Sequence, residues 1–300
     1  MTYEELWRKA KETLESKGVP EADLNARYLL SRAVEGPMTE RKQRFGPSEY
    51  FLRREEEAPS WVEADLDQMV RIRGCRVPLE YVTNSTEFMG LPLIVKPGVL
   101  IPRQDTECLV ELALEHASGS VLDLCTGSGC IGLSLAALGK KITQVALADQ
   151  SEKALEIASE NEKFLRREKR ISEKVRIDFY QGDLFSAIPD NAVFSLIVSN
   201  PPYIPDPVIE TLEPEVKDHE PRMALSGGKN GLDFYKRIVK DARKHLDWNG
   251  FLILEIGYDQ KEAVMNLMRE AGYEEVAGYS DYAGLDRIVS GRYKNRNLNE

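Results

Sequence analysis

The segment best suited to chemistry is Asn200-Pro201-Pro202-Tyr203, which directly follows a short apolar run, Phe194 to Ser199. The run predicts a buried strand, and the prolines end it because proline cannot donate to a sheet ladder and holds the preceding residue extended. The Asn200 amide and the neighbouring carbonyls are therefore displayed at the carboxyl end of a strand, where open α/β sheets bind ligands.

A rigid, neutral and acceptor-rich site of this kind suits an –NH2 group whose lone pair must be aimed at another atom. We expect Asn200 Oδ1 and the Pro201 carbonyl to accept its two N–H bonds, with Tyr203 as a flat wall. The alternative interpretation is that Asn-Pro-Pro-Tyr is only a turn that ends a strand, since prolines commonly punctuate loops.

Composition narrows the possible functions. Three hundred residues suffice for a large domain and a smaller module, and 42% hydrophobic with 30% charged residues is typical of a globular protein. The net charge of −10 argues against tight non-specific binding to nucleic acid. The four cysteines lack C-x-x-C spacing and the three histidines are scattered, so we expect no metal site and a reducing cytosol. Nothing resembles a signal peptide or a membrane span, and we expect a cytoplasmic monomer with no membrane or direct nucleic-acid partner.

Two patterns divide the first hundred residues. Apolar residues recur at three-to-four spacing from Thr2 to about Arg76 and predict a small helical bundle, residues 1–77. We expect this bundle to recognise a partner protein; the alternative is a stabilising cap. From Pro78 to Pro102 the chain is rich in β-branched, aromatic and aliphatic residues interrupted by glycine and proline, which predicts a β-hairpin linker over residues 78–100.

Strands and helices alternate over residues 101–294, which predicts an α/β domain with a mixed sheet. Asp105 or Thr106 is expected to cap its first helix. Gly127, Gly129 and Gly132 follow the first buried strand and happen to match G-x-G-x-x-G, a dinucleotide fingerprint that is weak when it stands alone.

Charge separates the two classes of adenosine cofactor. Asp123, just ahead of the glycine-rich turn, suits a cationic ammonium or sulfonium group better than the pyrophosphate of a dinucleotide. Asp149 ends the second strand and would accept from ribose hydroxyls. Asp183 follows the third strand and could accept from an adenine amino group, with Leu184 against the ring. S-adenosylmethionine explains these residues together with Asn200, whereas a dinucleotide leaves Asn-Pro-Pro-Tyr unexplained.

The chain beyond Tyr203 begins with a proline-rich connection that reaches Gly231, and a connection this long is typical of a lid or binding loop. A helix is predicted from Leu232 to Leu246 with a stop at Trp248-Asn249-Gly250. The remaining predictions are a buried strand over residues 251–256, a helix over residues 261–271, an antiparallel pair over residues 273–276 and 287–292, and a frayed tail from Asn295.

The sequence resembles the release-factor glutamine methyltransferase family, the N5-glutamine enzymes that modify class 1 peptide chain release factors. The resemblance covers nearly the whole chain, including its helical amino-terminal region. The motifs that carry it are Leu100-Ile101-Pro102-Arg103, Asp105-Thr106-Glu107, Leu122-Asp123-Leu124, Thr126-Gly127-Ser128-Gly129, Asp149 with Ala154-Leu155 and Asn161, Asn200-Pro201-Pro202-Tyr203, Glu220-Pro221, Ala224-Leu225 with Gly227-Gly228, and Gly284 with Asp286-Arg287.

The resemblance implies a Rossmann-like class I S-adenosylmethionine-dependent methyltransferase fold, with a mixed seven-stranded sheet, a small N-terminal helical domain and a β-hairpin linker. It implies N5-methylation of the glutamine in the Gly-Gly-Gln motif of a class 1 release factor, with that glutamine held by Asn200 to Tyr203. The cofactor-binding residues it implies are Thr126, Gly127, Ser128, Gly129, Asp149, Asp183, Leu184 and Asn200, and we add Cys125 between the strand and the turn.

Three residues depart from the family pattern: Cys125 and Asn84 stand where glycine is usual, and Gln104 where proline is usual. Cysteine is small, so we expect cofactor binding to survive. The motifs report an amide rather than its protein context, so a glutamine of a ribosomal protein is an alternative substrate. Asn-Pro-Pro-Tyr also occurs in enzymes that methylate nucleic-acid amino groups such as adenine N6, and a non-catalytic binding protein is the remaining alternative.

Overall fold

A computed structural model of the protein describes residues 1–40 and 45–294. In chain order the helices are α1 (Tyr3–Ser16), α2 (Ala22–Glu35), α3 (Pro47–Arg53), α4 (Ser60–Arg73), α5 (Leu79–Thr83), α6 (Glu107–His116), α7 (Cys130–Leu138), α8 (Glu152–Arg167), α9 (Asp206–Ile209), α10 (Pro214–Lys217), α11 (Arg222–Leu225), α12 (Asp233–Ala242) and α13 (Lys261–Glu270). The strands are β1 (Thr86–Phe88), β2 (Leu91–Leu93), β3 (Gly119–Leu124), β4 (Ile142–Asp149), β5 (Arg176–Gln181), β6 (Phe194–Ser199), β7 (Leu246–Glu255), β8 (Glu274–Ser280) and β9 (Asp286–Tyr293).

The chain forms two compact units. The first contains Met1–Ser85, Val95–Pro97 and Glu213–His219, and the second contains the other described residues. In the first unit α1, α2 and α4 bury one apolar face each, as their three-to-four spacing predicts. A capping box begins α1, because the Thr2 hydroxyl accepts from the Glu5 N–H while the Glu5 carboxylate accepts from the Thr2 N–H.

The second unit is built on a seven-stranded sheet of order β5-β4-β3-β6-β7-β9-β8. Strands β3 to β7 are parallel, and β9 runs antiparallel to both β7 and β8. The mixed sheet that the sequence predicts is therefore confirmed. The chain passes from β3 outward through β4 and β5 and then returns to place β6 on the other side of β3, which creates a topological switch point at their carboxyl ends.

Apolar side chains cover both faces of the central strands. Leu122 and Leu124 of β3 and Leu196, Ile197 and Val198 of β6 are fully buried. Parallel strands buried on two sides read as continuous apolar runs, which is why the sequence identifies them. The switch point is thus a rigid edge on which side chains can be held in place.

The predicted helix from Leu232 to Leu246 is wrong at its carboxyl end. Helix α12 stops at Ala242, and Leu246 is instead the first residue of β7, where it is fully buried and pairs with Phe194. The register then slips, so that Leu196 pairs with Phe251 and Trp248 lies in the slipped segment. Burial of Leu246 in the sheet outweighs the local helical pattern, and Trp248-Asn249-Gly250 is part of the strand.

Two further differences concern the connections. The hairpin consists of β1 and β2 and is preceded by α5, and Asn84, the departure from glycine, is the left-handed residue that ends α5 rather than part of the hairpin. The long connection after β6 contains α9, α10 and α11, and a bridge between Ile204 and Ser226 brings its two ends together. The predicted frayed tail lies outside the described residues. In the part of the chain that the structure describes, every helix is too short or too polar to cross a membrane.

Candidate functional site

A cavity lies at the switch point, over the carboxyl ends of β3, β4 and β6. The cavity and the open space at its mouth together measure about 940 Å³. Of the predicted site residues, those lining it are Cys125, Thr126, Gly127, Ser128, Asp149, Asp183, Leu184, Asn200 and Pro202. The other lining residues used below are Arg103, Thr106, Met223 and Phe234. Gly129, Pro201 and Tyr203 are not among the lining residues.

The turn after β3 forms one wall of this cavity. Cys125, Gly127 and Gly129 all have positive φ, at 62°, 55° and 81°. The Gly127 N–H donates to Asp149 Oδ2 at 2.9 Å, and Asp149 Oδ1 accepts from the Ser151 N–H at 2.9 Å. Burial raises the pKa of Asp149, and these backbone donors oppose the rise. Asp149 thus fixes the turn while its carboxylate remains part of the wall.

Asp123 lies beneath the glycine turn and not beside the cavity, where the sequence predicts that it would face a cationic group. Its side chain is fully buried under the turn, where Oδ2 accepts from the Thr126 hydroxyl at 2.6 Å and the Gly132 N–H at 2.8 Å. Burial raises its pKa to about 7, although these two hydrogen bonds act in the opposite direction. It therefore organises the glycine turn and does not face a cationic ligand directly. Gly132 is required at the close approach, because a Cβ there would overlap the Leu147 side chain.

Asn161 supports the same turn from α8. Its side-chain nitrogen donates to the carbonyls of Ser128 and Ile94, both at 2.9 Å, and its Oδ1 accepts from the Ile94 N–H at 2.6 Å. The fully buried amide thereby ties the turn to the residue that follows β2. The family resemblance points to Asn161, but only the fold assigns it this supporting position.

The segment after β5 forms another part of the cavity wall. Asp183 lines the cavity, and its Oδ2 also accepts from Arg237 at 2.6 Å. Leu184 is buried and has a positive φ of 52°, which turns the chain sharply behind the aspartate. The apolar side chain of Leu184 and the acceptor carboxylate of Asp183 are therefore adjacent. A flat heterocycle with an amino group needs both kinds of contact, one for its ring and one for its N–H bonds.

Asn200 reaches the cavity from the end of β6. Its amide nitrogen donates to Thr106 Oγ1 at 3.4 Å. Thr106 is the residue before α6 and makes no capping bond to that helix, and Asp105 pairs with Arg287 at 3.2 Å, so the predicted capping role is wrong for both. With its nitrogen turned to Thr106, the amide presents Oδ1 on its other side.

Tyr203 is fixed behind this position rather than along the cavity wall. Its hydroxyl donates to Glu255 Oε1 at 3.2 Å, and its carbonyl accepts from the Gln260 side chain at 2.9 Å. Gly227 packs directly on this backbone, since a Cβ there would lie 2.7 Å from Tyr203 Cα. Tyr203 is therefore not one of the lining residues, and its role as a flat wall stays a prediction; Phe234, which sequence reasoning missed, does line the cavity.

Glu255 is a further group that sequence reasoning missed. Its side chain is buried at the end of β7, where burial raises its pKa to about 7 against the opposing effects of Thr106, Arg287 and Tyr203. The sequence feature that could have identified Glu255 is a carboxylate inside the otherwise apolar run Phe251 to Ile256.

Among residues 1–40 and 45–294, no group of three or more His, Cys, Asp or Glu side chains is placed to hold a metal ion.

Comparisons with known proteins agree with this architecture. Residues 5–83 match the PrmC N-terminal domain family and residues 103–211 match the methyltransferase small domain family. The chain is 39% identical over 287 residues to the release factor glutamine methyltransferase of Geobacter sulfurreducens, covering 93% of this chain and 92% of that protein. It is 36% identical over 300 residues to the protein of that name from Vibrio cholerae, covering 98% of each. A solved methyltransferase from Pyrococcus furiosus shares the fold with a TM-score of 0.51 at 17% identity, over 69% of this chain and 90% of that one.

Proposed function

Because this chain belongs to the release factor glutamine methyltransferase family, we propose that it methylates the side-chain nitrogen, N5, of a glutamine in a class 1 peptide chain release factor, with S-adenosylmethionine as donor. The glutamine is that of the Gly-Gly-Gln motif. The observation that carries the proposal is the placement of the Asn200 amide in a cavity that also contains the glycine turn and two strand-end carboxylates.

The cavity residues fit S-adenosylmethionine. Asp149 accepts from the ribose hydroxyls, while Asp183 and Leu184 hold the adenine. Space for a Cβ at Gly127 is open, so the ligand can approach that backbone closely. Arg103, a cation on the cavity wall, is paired with Glu220 at 2.7 Å, which favours a cationic ligand over a pyrophosphate. When bound, S-adenosylmethionine supplies an electrophilic methyl group on a sulfonium centre.

Asn200 and Pro201 prepare the acceptor. A glutamine amide is a poor nucleophile because its nitrogen lone pair is shared with the carbonyl. Asn200 Oδ1 and the Pro201 carbonyl accept the two N–H bonds, which draws charge onto nitrogen and aims the lone pair. Holding reacting atoms roughly 3–3.5 Å apart and in line replaces the need for a strong base before attack.

The helical bundle, residues 1–77, provides the protein-recognition surface. The match to the PrmC N-terminal domain family covers residues 5–83 and so includes most of this bundle. We expect the bundle to contribute no catalytic group of its own. We further propose that the protein acts as a monomer in the cytoplasm, the compartment in which translation termination takes place. Residues 78–100 link the bundle to the methyltransferase domain, residues 101–294.

The direct test is methyl transfer from labelled S-adenosylmethionine to purified release factor, ribosomes or DNA in separate reactions. We expect label on the release factor alone, and N5-methylglutamine at the Gly-Gly-Gln motif by mass spectrometry. A release factor with alanine in place of that glutamine is the matched control and should remain unlabelled. Label on ribosomal protein or DNA, with none on the release factor, would replace this proposal with one of the alternatives.

A further inference from the structure

A buried carboxyl group lies behind the two polar side chains of Asn-Pro-Pro-Tyr. Glu255 ends β7, which is the parallel neighbour of β6, the strand that Asn200 follows. The Glu255 side chain contacts Tyr203 through Oε1, at 3.2 Å from the phenol oxygen. Its Oε2 is buried and has no hydrogen-bond partner within the described residues. A buried carboxylate with an unused acceptor is costly and calls for an explanation.

Thr106 connects this carboxyl group to Asn200. Its hydroxyl accepts from the Asn200 nitrogen at 3.4 Å. The same hydroxyl also acts on Glu255, because it lowers the pKa of that carboxyl and so favours its ionised form. A hydroxyl has one hydrogen to donate. When it is turned to the carboxylate, Thr106 can only accept from Asn200, so the asparagine must present nitrogen to Thr106 and Oδ1 to the cavity.

We propose that Glu255 is a positioning residue for the proposed amide methylation: its carboxylate orients the Thr106 hydroxyl, which in turn holds the Asn200 amide with Oδ1 available to the substrate glutamine. Protonated Glu255 can itself donate a hydrogen, which frees the Thr106 hydroxyl to donate to Asn200 Oδ1. The Asn200 amide then either rotates or has its Oδ1 occupied by Thr106. In both cases Oδ1 is no longer available to the substrate glutamine. The inference rests on the proposed function, since it assigns Asn200 Oδ1 the role of holding an N–H bond.

The surroundings of Glu255 place its titration in an accessible range. Burial raises its pKa to about 7, so the carboxyl is protonated below that pH and ionised above it. Arg287 favours the ionised form and Asp105 opposes it. The other titratable groups that interact with it are Tyr203 after β6, Cys130 on α7 and Tyr235 on α12. Turnover is therefore expected to rise with pH through about 7.

Glu255→Gln is the first test, measured in the full chain with release factor and S-adenosylmethionine between pH 6 and 9. Glutamine keeps the size of the side chain but cannot ionise. We expect kcat at pH 8 to fall at least tenfold, the rise near pH 7 to disappear, and KM for S-adenosylmethionine to stay within twofold. Glu255→Asp restores a carboxylate and should restore the pH-dependent rise with a lower kcat. Parental kcat together with the parental pH profile in Glu255→Gln would overturn the inference.

A double-mutant cycle tests the route through Thr106. Thr106→Val removes the hydroxyl, and we expect it to lower kcat. If Glu255 acts through that hydroxyl, adding Thr106→Val to Glu255→Gln should lower kcat by less than twofold more. Fully multiplicative losses would show that the two residues act independently and would contradict the proposed chain of contacts.

A spectroscopic measurement separates this inference from the proposed function. The side-chain amide of Asn200 can be followed by NMR in protein labelled at asparagine nitrogen, with Asn200→Ala to assign it. We expect its resonances to shift with a midpoint near pH 7 in the parental protein and to stay constant in Glu255→Gln. Constant resonances in the parental protein would overturn the inference, even where Glu255→Gln does not fold. A parental protein that leaves the release factor unmethylated would instead overturn the proposed function.

Discussion

The Asn200 amide nitrogen lies 3.4 Å from Thr106 Oγ1, which joins the end of β6 to the start of α6 across 94 residues of sequence. The contact gives the asparagine one orientation. It also explains why a threonine at a helix start makes no capping bond: its hydroxyl contacts the Asn200 amide instead. The orientation of Asn200 Oδ1, the hydrogen-bond acceptor in the proposed reaction, therefore depends on two segments that meet only in the folded protein.

Asn200→Ala should abolish most turnover while leaving cofactor binding largely intact. The variant loses the oxygen that holds the substrate amide, and the loss of one oriented polar group of this kind costs about 10²–10³ in kcat. Cofactor affinity depends mainly on the glycine turn and the strand-end aspartates, so Kd for S-adenosylmethionine should change by less than about tenfold. Steady-state kinetics and calorimetry measure the two quantities. Methylation at the parental rate would remove Asn200 from the mechanism.

Gly227→Ala should impair turnover by displacing Asn-Pro-Pro-Tyr. The added Cβ would stand 2.7 Å from Tyr203 Cα and 2.9 Å from the Pro202 carbonyl oxygen, and backbone atoms cannot move aside cheaply. A misplacement near 1 Å can cost about 10² in rate. Gly46→Ala is the matched control, because its Cβ would meet only the flexible Glu49 carboxylate. Equal kcat values for the two variants would contradict the steric argument.

Asp123→Asn should flatten the dependence of stability on pH. Burial raises the pKa of Asp123 to about 7, so the folded state holds this proton more tightly than the unfolded state does. Its contribution is complete below the ordinary aspartate range and is lost as pH rises through about 7, by an amount on the order of a few kcal/mol.

The measurement is urea unfolding of parental protein and variant from pH 5 to pH 8.5. Asparagine resembles the protonated aspartate, so the variant should gain stability relative to the parent as pH rises. The exposed Asp190→Asn is the control and should run parallel to the parent. A constant difference between Asp123→Asn and the parent at every pH would show that the carboxyl does not titrate in this range.

Glu215→Gln should loosen the segment Glu213–His219 within the first unit. Glu215 accepts from Arg76 at 2.6 Å and from Arg73 at 3.1 Å. Burial opposes ionisation, but the two arginines outweigh it and lower the pKa of Glu215 to about 2. The stability from this carboxylate is therefore present above pH 4.5 and lost as pH falls toward 2, and its removal should cost about 2–3 kcal/mol.

Hydrogen exchange in the intact chain is the measurement for Glu215→Gln, with faster exchange expected at residues 213–219. Glu213→Gln is the matched control, because the Glu213 side chain is 81% exposed and lies 3.7 Å from Arg76. An exposed pair of this kind contributes little. Exchange that is equally fast in both variants would mean that the partly buried ion pairs of Glu215 do not stabilise the segment.

Cys125→Gly should be more stable than Cys125→Ala, the reverse of the usual order. Cys125 has a φ of 62°, and a left-handed backbone costs a residue with a Cβ about 1–2 kcal/mol. Both variants lose the sulfur, but only glycine also loses the strain, against an entropy cost of about 0.5–1 kcal/mol. The net difference should approach about 1 kcal/mol in urea unfolding. An alanine variant as stable as the glycine variant would show that the turn relaxes around the side chain.

Local patterns in the sequence determined the fold class and the parts of the site. Three-to-four spacing predicted the helices of the bundle, apolar runs predicted the central strands, and Gly127, Gly129 and the prolines after Asn200 marked turns at strand ends. Each of these signals depends on neighbours within a few residues, because backbone preferences and periodic burial are local properties. For the same reason Asp149, Asp183 and Asn200 could be placed on one edge of the sheet before any contact was known.

Only the tertiary structure decided which polar groups face the cavity and which lie beneath it. Asp123 and Asp149 both belong to strand ends, yet one is buried under the turn and the other lines the wall. Thr106 and Glu255 are far from Asn200 in sequence and reach its surroundings because α6 and β7 pack beside β6. Sheet register and helix packing set these contacts, and no local propensity encodes them, because the burial energy they depend on is shared among distant segments.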